Sequence, residues 1–278
     1  MDKEVAELIM HYFVQRRDVK AIQCMEDRTE YHPHKPGAYH PVKRYGHHLP
    51  LTLKDIQDHL AKKQTYGHYL MDSANNCRVF AFDIDLNKKG WYPVRPEVEG
   101  NEEAIEFNAM EYWRSRKPGF PRDWIKYQFR MLSEMLAASI RRELQLPALI
   151  SYSGSKGMHV YALTGQAITG EQARAGIDIV LDSLGCFVPK GHGRNFFQHV
   201  NQMPVTGYPN FTIEIFPKQE RVDDKQERLG NLMRLPLGRN KKTTDPTFFV
   251  DCRKPMYQLL PLDPYVALTT LDPWGGDR

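Results

Sequence analysis

The chain has 278 residues, of which 41% are hydrophobic and 26% charged, and its formal net charge is +4. This length can bury a real core, as one large domain or two small ones. No run approaches the ~20 apolar residues that span a bilayer, and the first residues, MDKEVAELIM, mix acids with apolar residues. A secretory signal needs a basic start and a continuous apolar stretch. We therefore expect a soluble, cytoplasmic protein.

The first elements are predicted from hydrophobic spacing. Residues 2–15 have helical periodicity, and 28–50 are rich in His, Pro, Gly and Tyr, which favours an irregular loop. A second helix opens at Leu51-Thr52-Leu53, with Thr52 as a suitable N-cap ahead of KDIQDHLAKK. Residues 78–86, RVFAFDIDL, form the clearest strand of the chain.

The second half alternates helices with strands. The same criteria predict helices at 123–144 and 169–185, and strands at 148–152, 158–163, 211–216 and 231–237. Residues 87–124 are polar with several Pro and Gly breaks, which is typical of an insertion, and 251–278 reads as a tail or linker for the same reason. The alternation argues for a mixed α/β or α+β fold.

Two aspartates stand on the clearest strand. Asp83 and Asp85 are two residues apart, so they share one face of the strand, about 6–7 Å apart along the chain. Two like charges among large apolar residues are costly, and a divalent cation offsets the cost because hard cations prefer carboxylate oxygens. The alternative is an edge strand whose polar face meets water.

A polar turn, SGSKG, follows between two strands. Gly154 and Gly157 allow a tight turn whose backbone N–H groups can form an anion nest. Donors and positive charge crowd this turn: Ser153, Ser155, Lys156 and His159. The pattern suits a triphosphate, although a plain hairpin with a polar tip would share it.

Two further charged residues stand in apolar surroundings. Glu214 lies between two isoleucines on a strand, where a lone carboxylate is unfavourable unless it is paired. It is the natural third ligand for two ions about 3.5–4 Å apart, and Lys218 nearby could neutralise phosphate. Arg234 needs an acidic partner such as Glu214 or Asp85, or it clamps substrate phosphates.

Taken in chain order, these motifs resemble the archaeo-eukaryotic primase (AEP) superfamily. The motifs are the DxD strand, SGSKGMH, the strand acid before FPKQ, and GNLMRLPLG. The resemblance is closest to primase-polymerases of mobile elements, phages and CRISPR-associated loci, and it covers roughly residues 10 to 245. It implies an α+β fold in which an RRM-like antiparallel sheet packs beside an N-terminal α/β unit, with the catalytic domain over residues 1–250.

The resemblance also implies site residues and ligands. Asp83, Asp85 and Glu214 would hold two Mg²⁺ or Mn²⁺ ions, although many relatives carry Asp at the third position. The expected nucleotide-binding residues are Ser153, Ser155, Lys156, His159, Lys218 and Arg234. The expected nucleic-acid contacts are Arg16, Arg17, Lys43, Arg44 and Arg239, with ordinary surface charge as the alternative.

The predicted activity is template-directed DNA synthesis by a primase-polymerase. It would transfer nucleotides from dNTPs or NTPs to the 3′-hydroxyl of a primer on a single-stranded DNA template, in a bacterial, archaeal or phage-infected cell. A helicase or another replication protein is the expected partner. The alternatives are a two-metal nuclease and a non-catalytic RRM-like binding module.

A zinc site is the weaker reading of the cysteines and histidines. Cys186, His192 and His199 lie between the second and third motifs, but their spacing fits no standard zinc knuckle. Eleven histidines in a chain of this length produce accidental clusters, so four reduced, scattered cysteines are the favoured interpretation.

Overall fold

The computed structural model describes residues 2–24, 37–93, 104–199, 211–226 and 228–274. Its helices are α1 (Asp2–Phe13), α2 (Leu53–Leu60), α3 (Ala109–Ser115), α4 (Phe120–Leu144), α5 (Gly170–Leu184) and α6 (Pro264–Thr270). Its strands are β1 (Ala21–Gln23), β2 (Tyr39–Pro41), β3 (Lys43–Arg44), β4 (His47–His48), β5 (Tyr66–Tyr69), β6 (Asn76–Leu86), β7 (Lys89–Pro93), β8 (Ala104–Asn108), β9 (Ala148–Tyr152), β10 (Gly157–Thr169), β11 (Phe187–Pro189), β12 (Phe196–His199), β13 (Phe211–Phe216), β14 (Leu232–Arg234) and β15 (Phe248–Phe249).

The larger sheet has seven strands in the order β11-β12-β13-β6-β10-β9-β15. Its pairings are antiparallel, and β6 lies at the centre between β13 and β10. The residues that alternate with the aspartates on β6 are apolar and buried, such as Phe80 and Phe82. Helices α4 and α5 cover that face; a Cβ added at Gly176 on α5 would lie 3.4 Å from the Phe80 ring.

The smaller sheet has four strands in the order β14-β5-β1-β2 and belongs to an N-terminal unit with α1 and α2. This unit covers part of the opposite face of the larger sheet, because the ring of Phe13 on α1 meets Tyr161 on β10 edge to face at 5.0 Å. The arrangement confirms the predicted α+β fold with antiparallel sheets.

Two segments are more structured than predicted. The described part of the expected loop 28–50, from Gly37 onward, contains β2 and the β3–β4 hairpin. The expected insertion 87–124 contains the β7–β8 hairpin, α3 and the start of α4 at Phe120, where Pro121 favours helix initiation. Strands of two to five residues are too short to show a clear alternation, which explains the difference.

Residues 251–274 also pack into the molecule, although their Pro and Gly content predicted a tail or linker. Asp263 accepts a hydrogen bond from the backbone N–H of Val266 and so caps α6. Ala267 and Leu268 of this helix are buried in the main core, as is Leu262 before it. Within the described ranges, no helix combines the length and apolar character needed to cross a bilayer.

Candidate active site

The candidate site is built around Asp83 on the central strand. In the antiparallel register, Asp83 lies directly opposite Glu214 on β13 and directly opposite His159 on β10. Directly opposed residues have Cβ atoms about 4.5–5.5 Å apart and project from the same face. The fold therefore brings Glu214, Asp83 and His159 into one row across three strands.

Asp85 stands one pleat further along the same face, opposite Gly157 and Thr212. The absence of a side chain at Gly157 makes room for both aspartates. A Cβ at this position would lie 2.8 Å from Asp85 Oδ1 and 3.3 Å from Asp83 Oδ1. The close approach of the carboxylates therefore requires glycine at position 157, whereas the positive φ of the turn, +71°, falls on Gly154.

The surroundings of Asp83 disfavour its charge. Burial raises the pKa of this carboxyl group well above its usual range, and the charges of Asp85 and Glu214 raise it further. Its Oδ1 atom is buried and has no hydrogen-bond partner. A buried, unpartnered carboxylate oxygen beside two other acids is what a bound cation would satisfy.

Lysines neutralise the other two acids. Lys156 Nζ lies 2.6 Å from Asp85 Oδ2, and Lys218 forms an ion pair with Glu214. Within the described ranges, no three His, Cys, Asp or Glu side chains form a ready-made metal site. The oxygen donors nonetheless fit Mg²⁺ or Mn²⁺ in kind, and Asp83 offers a free oxygen. A bound ion would replace the lysine contacts.

His159 is held as a neutral ring. Burial, followed by the charge of Arg234, lowers the pKa of His159 to about 3, so its 3.5 Å approach to Asp83 is not an ion pair. Its Nδ1 atom lies 2.9 Å from the Tyr161 hydroxyl. Nε2 faces Asp83 and Nδ1 faces the Tyr161 hydroxyl, so these two contacts set the orientation of the ring.

Two aromatic side chains fix the backbone of the SGSKG turn through hydrogen bonds. The Trp113 indole N–H and the Tyr152 hydroxyl both donate to the carbonyl of Ser155, at 2.6 and 2.9 Å. Ser153 is buried, whereas Ser155 and Lys156 are partly exposed. The turn therefore presents Ser155 and Lys156 to solvent while its backbone is fixed.

Arg234 reaches the site from the smaller sheet. Its Nε donates to the Tyr39 hydroxyl at 2.7 Å, and its terminal nitrogen donates to the carbonyl of Ser153. In the described part of the chain it pairs with neither Glu214 nor Asp85, the acids considered as partners from the sequence. The guanidinium instead joins the two sheets beside the turn.

A cleft of about 410 Å³ opens beside the acids, within the usual range for a small-ligand site. Its lining consists of Asp85, Asn87, Lys156, Lys190, Phe196, Thr212 and Glu214. The Thr212 hydroxyl donates to Asn87 Oδ1 at 2.8 Å and lies 2.9 Å from Lys190 Nζ. Asn87 and Thr212 were not predicted as site residues, although Thr212 is signalled by its position two residues before Glu214, on the same face of the strand.

The expected nucleic-acid contacts fall into one buried and four exposed residues. Arg16 does not fit the predicted role, because its side chain is only 2% exposed and it donates to both Asp224 oxygens, at 2.9 and 2.6 Å. It is a structural ion pair. The others are exposed on the surface: Arg17, Lys43, Arg44 and Arg239.

The structure describes the side chains of two of the three residues considered for a zinc site, Cys186 and His192. All four cysteines are free thiols, and His192 is exposed. The side chain of His199 lies outside the described residues.

The antiparallel sheet, with its acids on central strands, and the adjoining N-terminal unit define the archaeo-eukaryotic primase class, a superfamily of primase-polymerase nucleotidyltransferases. The chain matches the family model described as TOTE conflict system, Archaeo-Eukaryotic Primase domain, over residues 4–261. It belongs to this family, and the superfamily predicted from the motifs is confirmed.

The chain was also compared with curated proteins and with solved structures. No curated protein matches the chain. Among solved structures, it is similar to the polymerase domain of Mycobacterium tuberculosis Ligase D in complex with DNA, at 12% identity and a TM-score of 0.44. That match covers 97% of this chain and 85% of the other.

Proposed function

We propose that this chain is a template-directed DNA primase-polymerase that transfers nucleotides from dNTPs or NTPs to a 3′-hydroxyl. The observation that carries the proposal is the row of Glu214, Asp83 and His159 across the sheet, with Asp85 one pleat away. Two of these groups, Asp85 and Glu214, line a cleft, in a chain that belongs to a primase family. Clustered carboxylates beside cationic side chains suit phosphoryl-group transfer.

The three carboxylates are the candidate ligands for two Mg²⁺ or Mn²⁺ ions. When bound, such ions supply Lewis-acid chemistry that favours loss of the hydroxyl proton and neutralises the departing pyrophosphate. The unpartnered oxygen of Asp83 and the raised pKa of that carboxyl group both support this assignment, because a cation removes the cost of an ionised Asp83.

The proposed phosphate-binding groups lie on one side of the acids. Lys156 and Ser155 come from the exposed part of the turn, His159 directs Nε2 toward Asp83, and Arg234 approaches from the smaller sheet. Lys218, now paired with Glu214, would be released when the carboxylate binds a cation. Ser153 donates its backbone N–H to Gly157, so its contribution is to shape the turn.

The proposed reaction is an in-line displacement at the α-phosphorus. The 3′-oxygen forms a bond to the α-phosphorus while the bond from this phosphorus to the bridging oxygen breaks, and pyrophosphate leaves with the electron pair. The hydroxyl proton passes to solvent. The positive groups near the turn would stabilise the charge that develops on the leaving phosphates.

The proposed partners are a template strand and a primer, and a helicase or another replication protein that recruits the chain. Exposed basic side chains at Arg17, Lys43, Arg44 and Arg239 are the candidate contacts to the DNA backbone. Such contacts are electrostatic and weaken as salt rises.

A primer-extension assay tests the function directly. The protein is incubated with a labelled primer on a template, with dNTPs or NTPs and Mn²⁺, and separately with a primer-free single-stranded circle. Longer products are expected from the wild type and none from Asp83→Asn/Asp85→Asn. The control, Asp178→Asn/Asp182→Asn on α5, makes the same charge change at acids outside the site and should extend normally.

Three outcomes would contradict the proposal or its assignment of the catalytic acids. A shortened primer would indicate the two-metal nuclease, and DNA binding without any product under all these conditions would indicate the non-catalytic module. Extension that persists in the double Asn variant would show that these acids are not the catalytic ones.

A further inference from the structure

The row of site residues continues across the larger sheet beyond the acids. Phe196 on β12 lies directly opposite Glu214 in the antiparallel register. Lys190 follows β11, and its backbone N–H donates to the carbonyl of Phe196 at 2.8 Å. Directly opposed residues project from the same face of a sheet. The row of acids and His159 therefore extends through Phe196 toward the edge strand β11.

The cleft beside the acids has two ends with different chemical groups. The strand order places Lys156, in the turn before β10, at one end and Lys190, after β11, at the other. Asp85 and Glu214 lie between them. Neighbouring strands are about 4.8 Å apart, so β10 and β12 are separated by roughly 14 Å. This width leaves room for one substrate on each side of the acids.

The far end of the cleft, away from the turn, is lined by Lys190, Phe196 and Thr212. The Lys190 ammonium group donates to the Thr212 hydroxyl at 2.9 Å, which holds its charge at the wall of the cleft. Phe196 remains 38% exposed, and Lys218 Nζ lies 5.1 Å from the centroid of its ring. A flat apolar ring with a cation close by suits a nucleoside joined to a phosphodiester.

The geometry of the proposed reaction favours one occupant for this end. In phosphoryl transfer the attacking and leaving oxygens lie roughly in line through the phosphorus. The groups proposed to bind the leaving phosphates belong to the turn end of the cleft. The attacking 3′-oxygen must then approach from the opposite side of the acids, where Phe196 lies.

We propose that the far end of the cleft binds the 3′-terminal nucleotide of the primer, with its base against the Phe196 ring and its phosphodiester at Lys190. The inference rests on the proposed function for the identity of the substrate. It assigns the acceptor strand to groups that are separate from those proposed for the incoming nucleotide.

Photocrosslinking locates the primer terminus without any chemistry at the acids. A primer that ends in iododeoxyuridine is annealed to a template, and its complex with the wild-type chain is irradiated with no free nucleotide or metal present. Iodouracil attaches covalently to an aromatic side chain that stacks against it, so peptide mass spectrometry should find the crosslink at Phe196. A primer with the same base several nucleotides before its terminus should leave Phe196 unlabelled.

Kinetics should separate the two ends of the cleft. Lys190→Gln/Phe196→Leu removes the charge and the flat ring but keeps one polar and one apolar side chain. The KM for the primer–template should rise at least about 5-fold, the size of effect expected when one base–aromatic stack is lost. The KM for the dNTP should stay at the wild-type value.

A matched variant controls for loss of charge and ring in general. Lys254→Gln/Tyr257→Leu makes the corresponding changes at exposed residues that do not line the cleft. Both KM values of this variant should equal those of the wild type.

The inference is overturned if the primer terminus crosslinks to other residues but not to Phe196. It is also overturned if iododeoxyuridine triphosphate labels Phe196 and the primer does not, or if the Lys190→Gln/Phe196→Leu variant changes only the KM for the dNTP. The far end would then bind the incoming nucleotide. Failure of the proposed function has a different signature: the primer terminus crosslinks to Phe196, yet the wild type forms no extension product.

Discussion

At the scale of single residues, the site combines one acid that has a buried, unpartnered oxygen with positive groups that compensate its neighbours. Asp85 and Glu214 each have a lysine partner, whereas Asp83 retains a buried oxygen without one. This asymmetry means that the cost of assembling three carboxylates falls mainly on Asp83, and that a cation would relieve it there.

Replacing Asp83 with Asn should therefore stabilise the metal-free protein. The folded-state pKa of this acid is raised above its ordinary value of 3.8, so stability is lost as pH rises through the interval between the two and Asp83 ionises. At neutral pH, Asp83→Asn should raise the Tm by a few degrees, as about 1 kcal/mol shifts a chain of this size by ~2–4 °C.

Mn²⁺ should reverse the order of the two melting temperatures. Mn²⁺ at about 100 times its Kd stabilises a folded protein by about 2.7 kcal/mol, so the wild-type Tm should rise while that of Asp83→Asn should not. Differential scanning fluorimetry with and without Mn²⁺ measures both effects. Equal shifts in the two proteins would show that Asp83 does not bind the ion.

The Tyr161 hydroxyl should act through His159. Tyr161→Phe leaves the buried Nδ1 of His159 without its hydrogen-bond partner at 2.9 Å, and losing such a partner costs about 1–3 kcal/mol. We expect primer extension to slow roughly 10-fold, with a shifted pH profile. Tyr66→Phe is the control, because Tyr66 is also buried but lies on the smaller sheet. Normal extension by Tyr161→Phe would exclude this positioning role.

At the scale of elements, strand register builds the site. A one-residue shift of β13 or β10 against β6 would move Glu214 or His159 to the opposite, helix-covered face of the sheet. The apolar residues that alternate with them oppose such a shift, because they would then leave the core. Among these are Ile213, Ile215 and Val160, all fully buried.

Gly157→Ala tests whether β10 can carry a side chain where it approaches the carboxylates on β6. The added Cβ would lie 2.7 Å from the Ile84 carbonyl and 2.8 Å from Asp85 Oδ1, so a strand or a carboxylate must move. Primer extension should fall by about 100-fold or more, since small misplacements at a reacting centre cost this much. Gly193→Ala, where a Cβ meets nothing within 4 Å, should extend normally, and an active Gly157→Ala would contradict this geometry.

Replacing each of two adjacent arginines after α1 with Ala should have opposite effects on stability and on DNA binding. Arg16→Ala removes a buried side chain and its hydrogen bonds to Asp224, which is itself 34% exposed, so it should destabilise the fold by about 1–3 kcal/mol. Arg17→Ala should leave the Tm unchanged and weaken DNA binding at low salt, because Arg17 is exposed. Urea unfolding and anisotropy measure the two effects. A stable Arg16→Ala with weakened DNA binding would restore the original sequence-based assignment.

At the scale of the whole molecule, polar contacts hold the N-terminal unit together and connect it to the larger sheet. His59 on α2 accepts a hydrogen bond from the Tyr66 backbone N–H at 3.0 Å, and its Nε2 lies 3.1 Å from the carbonyls of Leu235 and Pro236. Arg234 spans from Tyr39 to Ser153. The N-terminal unit is thereby held over one edge of the site.

The buried histidines of this unit should make the fold acid-sensitive. Burial lowers the pKa of His59 and of His68 to about 4, from 6.5 in the unfolded chain. Both must gain a proton on unfolding in this interval, so stability is complete above pH 6.5 and falls as the pH drops toward 4. Urea unfolding between pH 7.5 and 4.5 should show this loss, reduced in His68→Gln; a flat profile would contradict it.

Local patterns alone determined a good part of this protein. Alternation on the strand at 78–86 placed Asp83 and Asp85 on one face, and apolar residues around Glu214 indicated a buried strand acid. Helical periodicity located α1, α4 and α5. These features depend on neighbours in sequence, because side-chain direction in a helix or strand repeats over only a few residues.

Only the tertiary structure decided what these residues meet. Strands distant in sequence had to pair before Glu214 and His159 could lie opposite Asp83, and nothing local specifies that register. The same holds for Arg16, whose partner Asp224 lies far along the chain, and for the short strands and α6, whose apolar residues are buried by contacts from other elements. Long-range packing, which a linear pattern does not record, selects the partners and decides which charges are buried.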